Sequence, residues 1–205
     1  MTKKRSLYLF FLTLIIGLAY QFLPYSGLDQ TVLDVVGSIW NVLLAGLAAF
    51  YLTKSDFLQQ FKQLKFFALL WGIPLTFAVG IGFSTLYNLF IAQATTNSIG
   101  SVITIQMVVL QVPFMLMGEE VLSTNILIAL QKRGLSFFWS SIICGILFAL
   151  WHIPAYGFHP VQLLATLLPT RLALNYIWKK TGSIWNSWIC HFVYDLIGFI
   201  GFFVK

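Results

Sequence analysis

The sequence predicts an all-α protein: a polytopic transmembrane helical bundle of about seven spans, with its N-terminus in the cytoplasm. Three observations carry this. The 205 residues are 59% hydrophobic and 9% charged, with a mean hydropathy of +0.87, whereas soluble domains carry roughly 25% charged residues. The apolar residues fall into runs of about 20, long enough to cross the hydrocarbon core as helices. The cations gather at the ends of those runs, as membrane topology requires. Seven such helices use about 140 residues, which leaves loops and tails but no room for a soluble domain. We therefore read 1–205 as a single integral membrane domain, with N-terminal spans in 1–100 and the spans that carry chemistry in 101–205. The net charge of +6 reflects topology. The expected surrounding is a lipid bilayer, with no nucleic-acid partner.

The first span covers 6–23 and stops at Pro24. Met1-Thr2-Lys3-Lys4-Arg5 precedes it, but no clean small-x-small cleavage site follows, so it reads as a transmembrane helix rather than a signal peptide. Span two is 31–53, with Asp34 near the interface. Span three is 66–92, with Pro74 as a kink and several glycines for close packing. A polar, uncharged loop covers 93–100. Span four, 101–130, ends at Gln131-Lys132-Arg133-Gly134. Span five is 135–153, stopped by Pro154. Span six is 161–178, with Pro169 and Arg171 inside it, and span seven is 183–204. Spans three and four are long enough to be broken.

A cytoplasmic N-terminus puts Lys3, Lys4, Arg5, Lys54, Lys62, Lys65, Lys132, Arg133, Lys179 and Lys180 on one side, leaving only Arg171 and Lys205. The lysine and arginine rule favours this orientation. Cys144 and Cys190 both lie in apolar segments and read as buried small hydrophobes rather than a disulfide.

Gly118-Glu119-Glu120 is the costly element. A charge at mid-bilayer costs about 2.5–3.5 kcal/mol even on the lenient insertion scale, so two adjacent carboxylates must be protonated, paired or hydrated. The later spans supply His152, Arg171, His191 and Asp195 as partners. On span five, Phe148 and His152 share a helical face continued by Ser141 and Gly145. On span seven, His191 and Asp195 share a face with Ser187 and Gly198. Small residues on such stripes let another helix approach. Glu119 and Glu120 point about 100° apart, so they must find different partners.

One carboxylate with two neutral imidazoles is a ligand set for catalytic zinc with an open position. The same groups can hold a water without metal, the glutamate acting as general base. Asp195, one turn from His191, can orient the imidazole or the substrate. Against this stand plainer roles: transmembrane histidines as interhelical glue, Arg171 snorkelling to headgroups, and Trp139, Trp178 and Trp185 as interface anchors. In a chain with 20 phenylalanines, Phe-x-x-x-His alone carries little weight. The ordered set on three spans carries much more, and predicts that Glu119, His152 and His191 converge on one cavity.

Glu119-Glu120, Phe148-x-x-x-His152 and His191-x-x-x-Asp195 resemble the three motifs of the CPBP family of intramembrane proteases, also called the Abi or CAAX prenyl protease 2-like family. Lys180-Thr181-Gly182-Ser183-Ile184-Trp185 is similar to the turn before the family's last motif. The resemblance covers about 118–198. It implies a membrane cavity and endopeptidase activity on a peptide or protein substrate that can itself be membrane-bound. It also implies that Glu119, His152 and His191 hold a divalent metal, zinc in kind, or the attacking water. The residue at Asp195, commonly asparagine, would stabilise the oxyanion or the site. Small bacterial members, including bacteriocin self-immunity proteins, are similar in length to this chain, and the cytoplasmic lysine bias and the expected absence of disulfides fit a bacterial plasma membrane.

The family's first motif usually reads Glu-Glu-x-x-x-Arg, and Thr124 stands where the arginine belongs. Two rival functions stand beside the peptidase: a non-catalytic membrane immunity or binding protein, which the missing arginine supports best, and a small proton-coupled transporter using the same ionisable residues as a relay. Arg171 lies about 10 Å along span six from its basic end, and Glu120 about 16 Å along span four. These depths predict that Arg171 replaces the missing arginine and pairs with Glu120.

Overall fold

A computed structural model describes residues 1–203. Val204 and Lys205, at the end of the seventh expected span, lie outside the described residues. The helices are α1 (Lys3–Tyr20), α2 (Gln30–Thr53), α3 (Ser55–Gln59), α4 (Phe66–Phe90), α5 (Ile105–Leu110), α6 (Val112–Lys132), α7 (Phe137–Trp151), α8 (Ile153–Tyr156), α9 (Pro160–Thr181) and α10 (Ile184–Phe203). There is no strand among the described residues. Seven of these helices have 15 residues or more. By length and hydropathy α2, α4 and α6 can cross a membrane, and α7 is a shorter apolar helix.

Local chemistry sets the helix starts. Thr2, Asp29, Thr104 and Ser136 each accept a backbone N–H of the first turn through the side chain, satisfying a donor that the helix leaves orphaned. Pro160 opens α9, where the missing N–H costs nothing. Gly182 ends α9 in the left-handed conformation (φ 66°), and its N–H donates to the Trp178 carbonyl. Lys179 and Lys180 in that last turn face the negative end of the helix dipole.

The fourth expected span is broken. A 3-10 turn at Ser98–Ser101, then α5, then α6 replace a single helix over 101–130. Gln111 separates the two α-helices, and Pro113, which offers no N–H, sits in the first turn of α6. Span three runs unbroken as α4 with Pro74 inside it.

The core is centred on α6, which packs against α1, α2, α7 and α10, while α9 packs between α4 and α7. Small residues make these approaches possible. A Cβ at Gly118 would stand 2.7 Å from Asn41 Cβ and 2.9 Å from the Val42 nitrogen, so α2 passes directly against α6 beside the glutamates. A Cβ at Gly145 would meet Leu168 Cγ at 3.0 Å, which sets α7 close to α9. Gly72 and Gly80 on α4 lie against Cys190 and Tyr194 of α10.

The basic segments meet at one end of the bundle. Arg133 donates to the Lys3 carbonyl, and Lys179 Nζ to Gln131 Oε1. In the α3–α4 linker, Gln60 and Phe61 accept the indole N–H groups of Trp178 and Trp185. Asn186 binds both backbone groups of Lys65, accepting its N–H at 3.0 Å and donating to its carbonyl at 2.8 Å. One-sided gathering of cations is the arrangement the topology rule describes. Cys144 and Cys190 are buried free thiols.

Candidate active site

Four helices deliver the polar side chains. α6 carries Glu119 and Glu120 on adjacent faces, and the roughly 100° between them separates their environments. Glu120 is wholly buried, whereas the Glu119 side chain keeps a quarter of its exposure. α7 ends one residue before His152, which caps it. α9 brings Arg171, and α10 brings His191 and Asp195 one turn apart.

Glu120 lies at the centre of a dry cluster. Its Oε1 accepts Arg171 Nη1 at 2.6 Å and His191 Nδ1 at 3.0 Å, and its Oε2 accepts Arg171 Nη2 at 3.0 Å. Arg171 Nε donates to Asn175 Oδ1 at 2.9 Å. The expected pairing of Arg171 with Glu120 is present, so Arg171 does not snorkel to headgroups. Thr124 takes no part in it, since its hydroxyl donates back to the Val121 carbonyl.

Glu119 faces the other way, towards the imidazoles. His152 Nε2 stands 4.0 Å from its Oε1, and His191 Nε2 stands 3.9 Å from its Oε2 and 3.8 Å from Asp195 Oδ2. Each imidazole is oriented by its other nitrogen. His152 Nδ1 donates to the Phe148 carbonyl at 2.7 Å, and His191 Nδ1 donates to Glu120. In the neutral tautomer with the proton on Nδ1, each ring would turn the lone pair of Nε2 towards Glu119. The buried Oε2 of Glu119 has no hydrogen-bond partner.

The residues proposed from the sequence are therefore brought together. Glu119, His152, His191 and Asp195 surround one point, and Glu120 stands behind His191. The point lies between two cavities. One, of about 400 Å³, is bounded by α4, α9 and α10, and the other, of about 630 Å³, by α1, α6 and the 97–102 segment. Phe148, His152 and Asp195 border both, Glu119 opens to the larger and His191 to the smaller. Glu120 and Arg171 line neither.

Sequence reasoning missed Asn97, which borders both cavities, and Gln162, which borders the smaller one. Gln162 pins the 93–97 loop: its Oε1 accepts the Thr95 N–H at 3.0 Å and its Nε2 donates to the Thr95 carbonyl at 2.8 Å. The available signal was a polar, uncharged loop and a glutamine at the start of an apolar run.

Two imidazole nitrogens face one carboxylate at 3.9–4.0 Å. In kind, the set fits a divalent ion or the protons of a water. In spacing, 3.9–4.0 Å is wider than the ~3.4 Å between ligands of a tetrahedral ion with bonds of about 2.1 Å. As the side chains stand, no trio of His, Cys, Asp or Glu among the described residues is close enough to hold a metal ion.

The fold is that of a membrane-embedded helical bundle, and the family model that the chain matches is that of a protease family. The family model described as "Type II CAAX prenyl endopeptidase Rce1-like" matches residues 98–197, a stretch that contains all three motifs. Those residues are similar to this CAAX-type protease family, in agreement with the resemblance of the motifs. The chain matches no curated protein and no solved structure.

Proposed function

We propose that the protein is an intramembrane endopeptidase in which Glu119 activates a water held with His152 and His191. The observation that carries this is the convergence of Glu119 with two Nε2 atoms whose rings are fixed through Nδ1. Glu119 Oε2, buried without a partner, accepts a proton as the water oxygen bonds to the peptide carbonyl carbon. The carbon–nitrogen bond then breaks, and the same proton passes from Glu119 to the leaving amine. Asp195 keeps His191 in register, and Glu120 holds the far side of that ring. A divalent ion of the zinc class, when bound, would be held by Glu119, His152 and His191 and would make a bound water more acidic.

The substrate in this reading is a peptide or a membrane-bound protein segment that enters the cavities beside Glu119. We take 1–205 as one functional unit in a bacterial plasma membrane, with bacteriocin self-immunity as its service. The similar length of small bacterial relatives and the one-sided lysines support this. The case for a non-catalytic binder rested on Thr124, and it is weakened because Arg171 meets Glu120 instead.

The test is proteolysis by purified protein in liposomes, wild type beside Glu119→Ala, with metal content measured on the same samples. Cleavage by wild type and its loss in Glu119→Ala is the expected result. A Glu119→Ala variant that cleaves as well as wild type overturns the reading. Cleavage without stoichiometric metal assigns the chemistry to Glu119 and water alone.

A further inference from the structure

We propose that Arg171 is a positioning residue of this site, fixing the direction of the His191 imidazole through Glu120; the inference rests on the peptidase reading above. Arg171 is fully buried and is the largest of the fully buried side chains. It stands outside all three motifs, yet it reaches each of them. It grips Glu120 of the first motif. Its guanidinium carbon lies over the Phe148 ring of the second, 5.4 Å from the centroid. Through Glu120 it reaches His191 of the third.

Neutralising a buried carboxylate requires a single cationic contact. Arg171 instead commits all three guanidinium nitrogens: Nη1 and Nη2 to the two oxygens of Glu120, and Nε to Asn175 Oδ1 one turn along α9. A carboxylate held at both oxygens by a planar fork cannot rotate about its last bond. Glu120 Oε1 is thereby kept aimed at His191 Nδ1. The opposite nitrogen of that ring, Nε2, then points to Glu119 Oε2 and Asp195 Oδ2. The chain of constraint runs from α9 through α6 to α10 and ends at the reacting point. A misplacement of about 1 Å at such a point costs on the order of 10²-fold in rate.

The local sequence of α9 makes room for the device. Gly145 admits Leu168 against α7, which seats the following turn of α9, with Arg171, beside Phe148. Thr124, one turn beyond Glu120, contributes a hydroxyl bonded to its own helix. The cation that fixes the second glutamate has moved to another helix.

The experiment compares wild type with Arg171→Lys, Arg171→Gln and the pair Glu120→Gln with Arg171→Gln, all reconstituted in liposomes. The chain has three histidines, so ¹⁵N-histidine spectra resolve the His191 ring after assignment with His152→Gln and His159→Gln. The hydrogen-bonded Nδ1 proton signal of His191 is expected in wild type and lost in both single variants. Their kcat is expected to fall by roughly 10- to 100-fold with KM held. The pair, which removes both charges, is expected to regain thermal stability and not kcat. The proposal is overturned if the pair regains both, since neutralisation alone would then suffice. It is equally overturned if Arg171→Lys keeps the wild-type kcat and His191 signal. Should Arg171→Gln fail to fold, Arg171→Lys and the pair decide. A wild type that cleaves nothing defeats the peptidase reading, and the spectra still decide the positioning.

Discussion

Arg171 holds both carboxylate oxygens of Glu120, at 2.6 and 3.0 Å, where neither side chain is exposed. Breaking such a pair from one side leaves an uncompensated buried charge and costs about 3–5 kcal/mol. Arg171→Met should lose that much stability in detergent unfolding, and Glu120→Gln added to it should recover most of the loss. Thr124→Arg added to Arg171→Gln should recover part, because position 124 lies one turn from Glu120 on α6. A Tm series over these variants checks the order.

Glu119 should matter for chemistry and little for stability. Its side chain is partly exposed to a cavity and its oxygens stand 3.9–4.0 Å from their nearest imidazole nitrogens. Glu119→Gln should cut turnover by about 10²-fold or more while leaving the unfolding midpoint close to wild type. His152→Ala in the same background should add little further loss, because groups that act as a unit are not additive. Single-turnover cleavage of one peptide by wild type, Glu119→Gln, His152→Ala and the double variant measures the losses, and thermal unfolding of the same samples measures the midpoint.

Asn186 ties the start of α10 to the start of α4 through both backbone groups of Lys65. Asn186→Ala leaves the Lys65 N–H without its side-chain partner, while the Lys65 carbonyl keeps the Ala68 N–H at 2.9 Å, so a loss of about 1 kcal/mol is expected. Hydrogen exchange at the Lys65 amide should quicken in step with the fall in stability.

Gly118 has α2 backbone where a side chain would go, the Val42 nitrogen at 2.9 Å from an added Cβ. Gly118→Val should cost about 1–3 kcal/mol or more through overpacking and should displace the neighbouring glutamates, so activity falls with it. Gly82 on α4 has nothing within 4 Å of an added Cβ, and Gly82→Ala should raise stability by up to about 1 kcal/mol. Unfolding of the two variants side by side separates packing from helix propensity.

Cys144 and Cys190 are free and buried. Thiol titration should count two reactive groups after denaturation, and migration on electrophoresis should be the same with and without reductant.

The helical class and the polar set were legible because charge is expensive in an apolar chain: every buried ionisable group announces itself. Glu119, Glu120, His152, His191 and Asp195 all stood out for that reason, and the Arg171 pairing followed from charge and approximate depth. Depth itself was less legible. At about 1.5 Å per residue, His152 lies about 24 Å along α7 from Ser136, and His191 about 12 Å along α10 from Ser183. The two nevertheless meet at Glu119, since helix tilt and starting level come from packing, which no single segment records. The break at Gln111 was also hidden, because an apolar run reads alike whether it is one helix or two. Asn97 and Gln162 escaped because neutral polar residues carry a smaller penalty and so a fainter signal.

Phe148 lies between the two imidazoles and the buried arginine. Its ring lies 4.5 Å from His152, 6.1 Å from His191 and 5.4 Å from the Arg171 guanidinium, and it borders both cavities. It is a bulkhead between two dielectric regimes. Behind it an ion pair keeps the strength that low permittivity gives, and in front of it the water to be consumed must come and go. A smaller residue at 148 would flood the compartment behind, screening the pair that holds Glu120. The phenylalanine of the second motif thus acts as a waterproof seal as much as a packing residue.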